Sequence, residues 1–257
     1  MARAVPAATA ALRVMKYLSG QPLPVPASRI AQVVGMPRSS AYHLLAAMAE
    51  EDFVIHYPED RTWGIGIAAW EVGHGFAQQE PLGRLARIPL ARLVDKVGQS
   101  AHLVMLSDAD VLYVIEERAP GRPPLVTDVG VRLPAHLTAS GRAILATLPP
   151  AQIRALYPGK AAFVTRTGKG PQSPTELRRL LSATRQRGYA WEEGEVTPGF
   201  SSLAAPIEST AIRASVAVTW DADSPASGRD PESTSRDVLA AVLKTAREIS
   251  KRLGAKR

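Results

Sequence analysis

The chain has 257 residues, 46% of them hydrophobic, a formal net charge of +7 and a pI near 9.9. That length suits two domains, the apolar content suits packed cores, and the basic balance favours polyanionic partners without requiring one. No cysteine occurs, which removes disulfides, thiolate nucleophiles and CxxC metal sites together. There is also no apolar signal-peptide core and no run of about 18 apolar residues, so no membrane partner is expected and the expected location is the cytoplasm.

The charge is unevenly spread. Residues 1 to 49 carry Arg3, Arg13, Lys16, Arg29 and Arg38 and no acid, whereas acids gather from Glu50 to Asp60. Phosphates would meet no repulsion on that acid-free segment. Residues 7 to 18, AATAALRVMKYL, place Leu12, Met15 and Leu18 at helical spacing, with Arg13 and Lys16 outside the stripe. GQPLPVP, from Gly20 to Pro26, cannot continue a helix and predicts a connecting loop.

From Ala27 to Glu50 the pattern predicts two short helices joined at Gly35. Ile30, Val33 and Val34 share one face of the first helix, and Ser28 can cap its start. Gly35 suits the left-handed stop, and Pro37 suits the first turn of the second helix. In that second helix Ala41, Leu44, Leu45 and Met48 gather on one side, while Ser39, Tyr42, His43 and Ala46 fall on the other. Such a pair is either a helix-turn-helix, which reads bases with the N-terminal outer residues of its second helix, or a plain hairpin with a solvated face.

The next residues decide between the two. Phe53, Ile55 and Tyr57 alternate with Val54 and His56, PEDR turns the chain, and TWGI returns as a second strand. Three helices followed by a β-hairpin make a winged helix-turn-helix. On it Ser39, Ser40, Tyr42 and His43 are expected to read or position double-stranded DNA, with Arg38 and Arg61 on phosphates.

Residues 65 to 79, interrupted by Gly73 and Gly75, predict a linker helix suited to pairing with a second subunit. The expected organisation is 1–64 winged helix-turn-helix, 65–81 linker and 82–257 second domain. Residues 82 to 97 resume a helical pattern through Leu85, Leu93 and Val97, broken near Pro89. SAHLVMLS and DVLYVIEE then flank a polar turn at Asp108 to Asp110, a hairpin opening the second domain. Leu125 to Val131 is expected to form another strand. Thr138 is the expected cap of the next helix, which leaves the N–H groups of Ala139, Ser140 and Gly141 as an anion site or merely as a hydrated helix start. A basic helix over 174–187 ends at Gly188, strands follow at 189–193, 202–208 and 212–220, and a last helix spans about 235–253. The polar loop from 221 to 233 is expected to be mobile. The second domain is thus α+β, with a mostly antiparallel sheet.

A search for catalytic chemistry finds little. His43, His56, His74, His102 and His136 are scattered with no metal-ligand spacing, and P-loop, GxSxG and GxGxxG motifs are lacking. Glu192, Glu193 and Glu195 cluster before a Pro-Gly turn, a solvated turn or a catalytic pair. No cofactor and no enzyme activity are expected, and the competing readings are an enzyme with an accessory nucleic-acid-binding module and an architectural DNA binder without a ligand.

Three segments, IAQVVGMPRSSAYHLLAAM, VGVRLPAHLTASGRAILATLPP and RQRGYAWEEGEVTPGFSSLAAPI, together resemble the IclR family of bacterial transcription regulators, in order and over nearly the whole chain. The resemblance implies a winged helix-turn-helix, a linker helix and a GAF-like effector-binding domain. It also implies a dimer or a dimer of dimers whose DNA affinity changes when a small organic acid binds. Carried over by position, the effector pocket falls on the helix start at Ala139 and Ser140, on Glu192, on the turn from Phe200 to Ser202, and on the last strand at Ala217 and Thr219. The independently read anion site adds Gly141. Departures from the family stand at Ser202, where relatives often have Cys, and at Ala217 to Asp221, where they show Ser-Val-Ser-Gly-Pro. One hydroxyl is lost there, which points to a ligand larger or less polar than a two-carbon acid. His43 stands where many relatives have Arg, so the operator preference is expected to differ.

Overall fold

The computed structural model describes residues 5–79, 81–122, 124–210, 212–221 and 231–254. It divides at residue 80/81 into two compact units. Most of the polar loop expected at 221–233 lies outside the described residues.

In the first unit, α1 (Pro6–Leu18), α2 (Ala27–Val34) and α3 (Arg38–Glu50) precede a hairpin of β2 (Val54–Tyr57) and β3 (Thr62–Ile65), and α4 (Ile67–Gln79) follows. α1 buries Ala10, Val14 and Leu18, a four-residue step that keeps one face. Leu12, expected on the stripe, is 200° away from Ala10 around the helix and lies exposed. α2 buries Ala27, Ile30, Ala31 and Val34 and leaves Val33 on the exposed rim. Gly35 ends it at φ 76°, where an L side chain is disfavoured.

Two expectations for these turns need correction. Ser28 does not cap α2, which begins at Ala27 behind Pro26. The reason is that Val25–Pro26 is a short strand, β1, paired antiparallel with β3, so GQPLPVP ends in a sheet and delivers the chain one residue early. Likewise Pro37 stands just before α3 rather than in its first turn. Val54 and Trp63 complete the core beneath the helices.

The second unit is a six-stranded, wholly antiparallel sheet in the order β6-β5-β4-β9-β8-β7. Its strands are β4 (Ser100–Ser107), β5 (Asp110–Glu117), β6 (Arg132–Pro134), β7 (Ala190–Glu193), β8 (Phe200–Ile207) and β9 (Ala214–Asp221). One face is covered by α5 (Pro81–Val97) and the long C-terminal α9 (Pro231–Arg252), through Leu90 and Leu93 of the former and Val238, Val242 and Ile249 of the latter. The other face carries α6 (Ala139–Thr147), with α7 (Pro150–Leu156) and α8 (Pro174–Arg187) around Ile144, Leu145, Ile153, Leu177 and Leu181.

α5 does not break at Pro89. Proline removes one helical N–H, but burial of Ala86, Leu90, Leu93 and Val94 against the sheet holds the helix on both sides of it. The strand expected at 125–131 is also absent. That segment is irregular up to a turn at Gly130, φ 86°, and the pairing with β5 starts only at Arg132.

Candidate DNA-reading surface and ligand pocket

α3 presents Arg38, Ser39, Ser40, Tyr42 and His43 to solvent, while Ala41, Leu45 and Met48 face the core. Its first turn holds no acid, and no side chain caps its N–H groups, so donors and a positive charge meet at the end a duplex would approach. Arg61 sits on the turn between β2 and β3 at φ 52°, with its N–H on Pro58 O, and is exposed. On the hairpin His56 stacks on Trp63, ring centroids 4.4 Å apart, which supports the strand from beneath.

The second unit holds a pocket of about 490 Å³, counted out to its mouth. Of the residues expected there, it brings together Ala139, Ser140, Glu192, Phe200, Ser202 and Thr219. Thr138 caps α6 as expected, its Oγ1 accepting from the N–H of Gly141 at 2.9 Å. That bond removes Gly141 from the anion site, and Gly141 does not line the pocket. The N–H groups of Ala139 and Ser140 make no hydrogen bond among the described residues, so two donors remain at the helix start.

Gly141 has another role. A Cβ there would lie 2.2 Å from the main-chain oxygen of Ala135, so the helix can sit this close only with glycine. Gly141→Ala is expected to cost about 1–3 kcal/mol through overpacking, read by urea unfolding of the C-terminal unit; a neutral change would mean that the helix can lift away freely. Ala217 also lies outside the pocket lining. It joins Ala139, Ala143, Ala190 and Ala204 in a patch of small side chains that lets α6 lie close on β7, β8 and β9. Trp220 is in the opposite core, edge-on to Trp191 at 5.2 Å.

One polar chain runs across the back of the pocket. Glu192 is only 2% exposed, and its Oε1 accepts from Ser202 Oγ at 2.6 Å. Ser202 Oγ is 3.0 Å from Thr219 Oγ1. Glu192 Oε2 accepts from the N–H of Glu195 at 3.1 Å. Burial pushes the Glu192 carboxyl up to about 7, the Ser202 hydrogen bond opposing and the neighbouring Glu195 carboxyl adding.

Behind this chain stands Arg142, which sequence reasoning did not single out. Its Nη1 donates to Glu195 Oε1 at 3.0 Å and to Trp191 O at 3.1 Å, and its Nε donates to His136 O at 2.8 Å. Among the described residues no Lys or Arg lines the pocket, so the only positive charge that meets an anion there is the partial charge at the start of α6.

Tyr113, Leu125, Val126, Thr127, Val196 and Thr197 also line the pocket and were not anticipated. Tyr113 had a signal, since it shares a buried face of β5 with Val111 yet carries a hydroxyl. Burial pushes its phenol well above the ordinary range, a hydrogen bond with Ser140 opposing.

Residues 7–56 match the IclR helix-turn-helix domain model, and residues 74–251 match the model of the bacterial transcriptional regulator IclR C-terminal domain. The glycerol operon regulatory protein of Streptomyces coelicolor is 29% identical over 257 residues, all of both chains. The transcriptional repressor IclR of Escherichia coli is 28% identical over 201 residues, 77% of this chain and 73% of that one. The crystal structure of an IclR transcriptional regulator from Alicyclobacillus acidocaldarius has the same fold, with a TM-score of 0.82 at 24% identity, covering 98% of this chain and 100% of that one. An IclR homolog from Microbacterium hydrocarbonoxydans, crystallised with 4-hydroxybenzoate, also shares the fold, with a TM-score of 0.77 at 20% identity over 97% of this chain and 100% of that one. The chain therefore belongs to the IclR family of bacterial transcriptional regulators.

Proposed function

We propose that the protein binds an operator duplex through α3 and the β2–β3 wing, and that a small organic acid in the pocket of the C-terminal unit controls its operator affinity. The observation that carries the first half is the acid-free, uncapped start of α3 on an exposed polar face. The second half rests on a pocket that combines two unpaired N–H groups with apolar walls, and on the 4-hydroxybenzoate bound by the Microbacterium homolog. Self-association as a dimer or tetramer fits the apolar side chains that α4 exposes, Ile67, Trp70, Val72 and Phe76. Two copies would set their recognition helices about 34 Å apart, or a multiple of that, on a near-palindromic site.

Fluorescence anisotropy against the gene's own upstream DNA and a random duplex of equal length, over a salt series, tests the reading. Wild type should prefer the upstream DNA, and its log affinity should fall linearly with log salt. Arg38→Ala should weaken both duplexes and make the salt slope shallower by about 1. His43→Arg should instead change which bases are preferred. Equal affinity for the two duplexes would remove the operator reading.

A further inference from the structure

Pro124 to Thr127 form one wall of the pocket as a strap unlike the others. α6 and the strands around the pocket are held by helical or ladder hydrogen bonds, whereas among the described residues no main-chain hydrogen bond ties 124–127 to the rest. Pro124 and Val126 are exposed, but Thr127 is only 5% exposed. Its Oγ1 lies 3.0 Å from Nε2 of His102, which is wholly buried on β4 with its ring edge-on to that of Tyr113.

The direction of that bond follows from what it leaves over. Among the described residues Nδ1 of His102 is buried without a hydrogen-bond partner. Burial, with the Arg118 charge adding and Asp128 opposing, lowers the ring's pKa to about 3, so the imidazole is neutral and carries one proton. A proton on Nδ1 would be an orphaned buried N–H, costlier than an orphaned lone pair. Glu116 Oε1, 4.0 Å from Nε2, also favours the proton there. Nε2–H therefore donates to Thr127 Oγ1, and the threonine's own O–H is left free on a residue that lines the pocket.

We infer that Thr127 contacts the effector, donating its hydroxyl proton to an acceptor oxygen of the ligand such as a carboxylate, and that His102 is the positioning residue that aims it. This rests on the pocket being the ligand site, and it adds to that site a donor carried on the strap.

The test is calorimetric titration of the full chain with acetate, butyrate, benzoate and 4-hydroxybenzoate, together with amide exchange over 124–131. Thr127→Val, which removes the O–H at constant shape, should weaken whichever acid binds wild type by about tenfold, while Thr127→Ser stays within about threefold. His102→Leu should behave like Thr127→Val, and His102→Gln, whose amide can still donate, like Thr127→Ser. At the bonded end of the strap segment, the amides of Gly130 and Val131 should exchange about tenfold faster in Thr127→Val, with β4 and β5 still protected. If an acid binds wild type and Thr127→Val equally well, the Thr127 contact is overturned while the pocket reading stands. If exchange at Gly130 and Val131 is unchanged, the His102 anchor is overturned. If none of the four acids binds wild type, the acid-binding reading falls and takes the contact with it.

Discussion

Arg142→Met is expected to cost the C-terminal unit about 3–5 kcal/mol, the range for removing one partner of a buried ion pair. The guanidinium is 2% exposed and serves three acceptors on three segments: His136 O, Trp191 O and the Glu195 carboxylate. Methionine fills similar space, but it leaves two buried carbonyls without donors and Glu195 without its cation. The damage should spread to the pocket, because the same Glu195 holds Glu192 through its main-chain N–H. Urea unfolding, with amide exchange in β7 and β8 as the local readout, measures it. Arg142→Lys should recover only part of the loss, since an ammonium cannot reach three acceptors from one planar fork. A loss under about 1 kcal/mol would mean that water or a rearranged turn satisfies these groups without the arginine.

The second large effect is a stability that falls with pH because of Glu192. Its carboxyl titrates at about 7 in the folded chain against an ordinary 4.5, so the native state holds the proton more tightly than the unfolded chain does. The stabilisation from that protonation is complete below about pH 4.5 and is lost as pH rises through 7. The total is about 3 kcal/mol, from roughly 1.36 kcal/mol per unit. Glu192→Gln should flatten this fall between pH 5 and 8. Its amide N–H can donate to Ser202, reversing the bond that Ser202 makes to the ionised carboxylate as a protonated acid would also do, and its carbonyl can accept from the Glu195 N–H. Unfolding free energies measured across that range would contradict the assignment if wild type and variant ran parallel.

The parts of the chain legible in the sequence are those governed by neighbours along it. The hairpin of β4 and β5 has the expected ends because alternation and a polar turn are local properties. The same holds for the Gly35 stop and for the Thr138 cap. The misses are tertiary. β1 is a strand only because β3 lies beside it, and Pro89 stays within a helix only because the sheet grips both halves. Arg142 carried no mark in the sequence, since its acceptors lie 6, 49 and 53 positions away in the chain. The family pattern located the start of α6, Glu192 and Ser202, but neither pattern nor periodicity could distinguish pocket wall from packing at Gly141 and Ala217, where proximity to a backbone decides the role. Thr127 was hidden for a related reason: in a segment expected to be a strand, a threonine carries no special mark until its partner on β4 is known.

The five alanines under α6 have an evolutionary consequence. A methyl group has no rotamer to change, so Ala139, Ala143, Ala190, Ala204 and Ala217 form a floor that cannot adapt by repacking. Any larger residue there would push the helix, and with it the two free N–H groups, off the sheet. The strap carrying Leu125 and Val126 has no such constraint, because both side chains border open space on one side. Change of ligand among descendants of this chain should therefore be written in the strap and the Phe200 turn, while the alanine floor stays as it is.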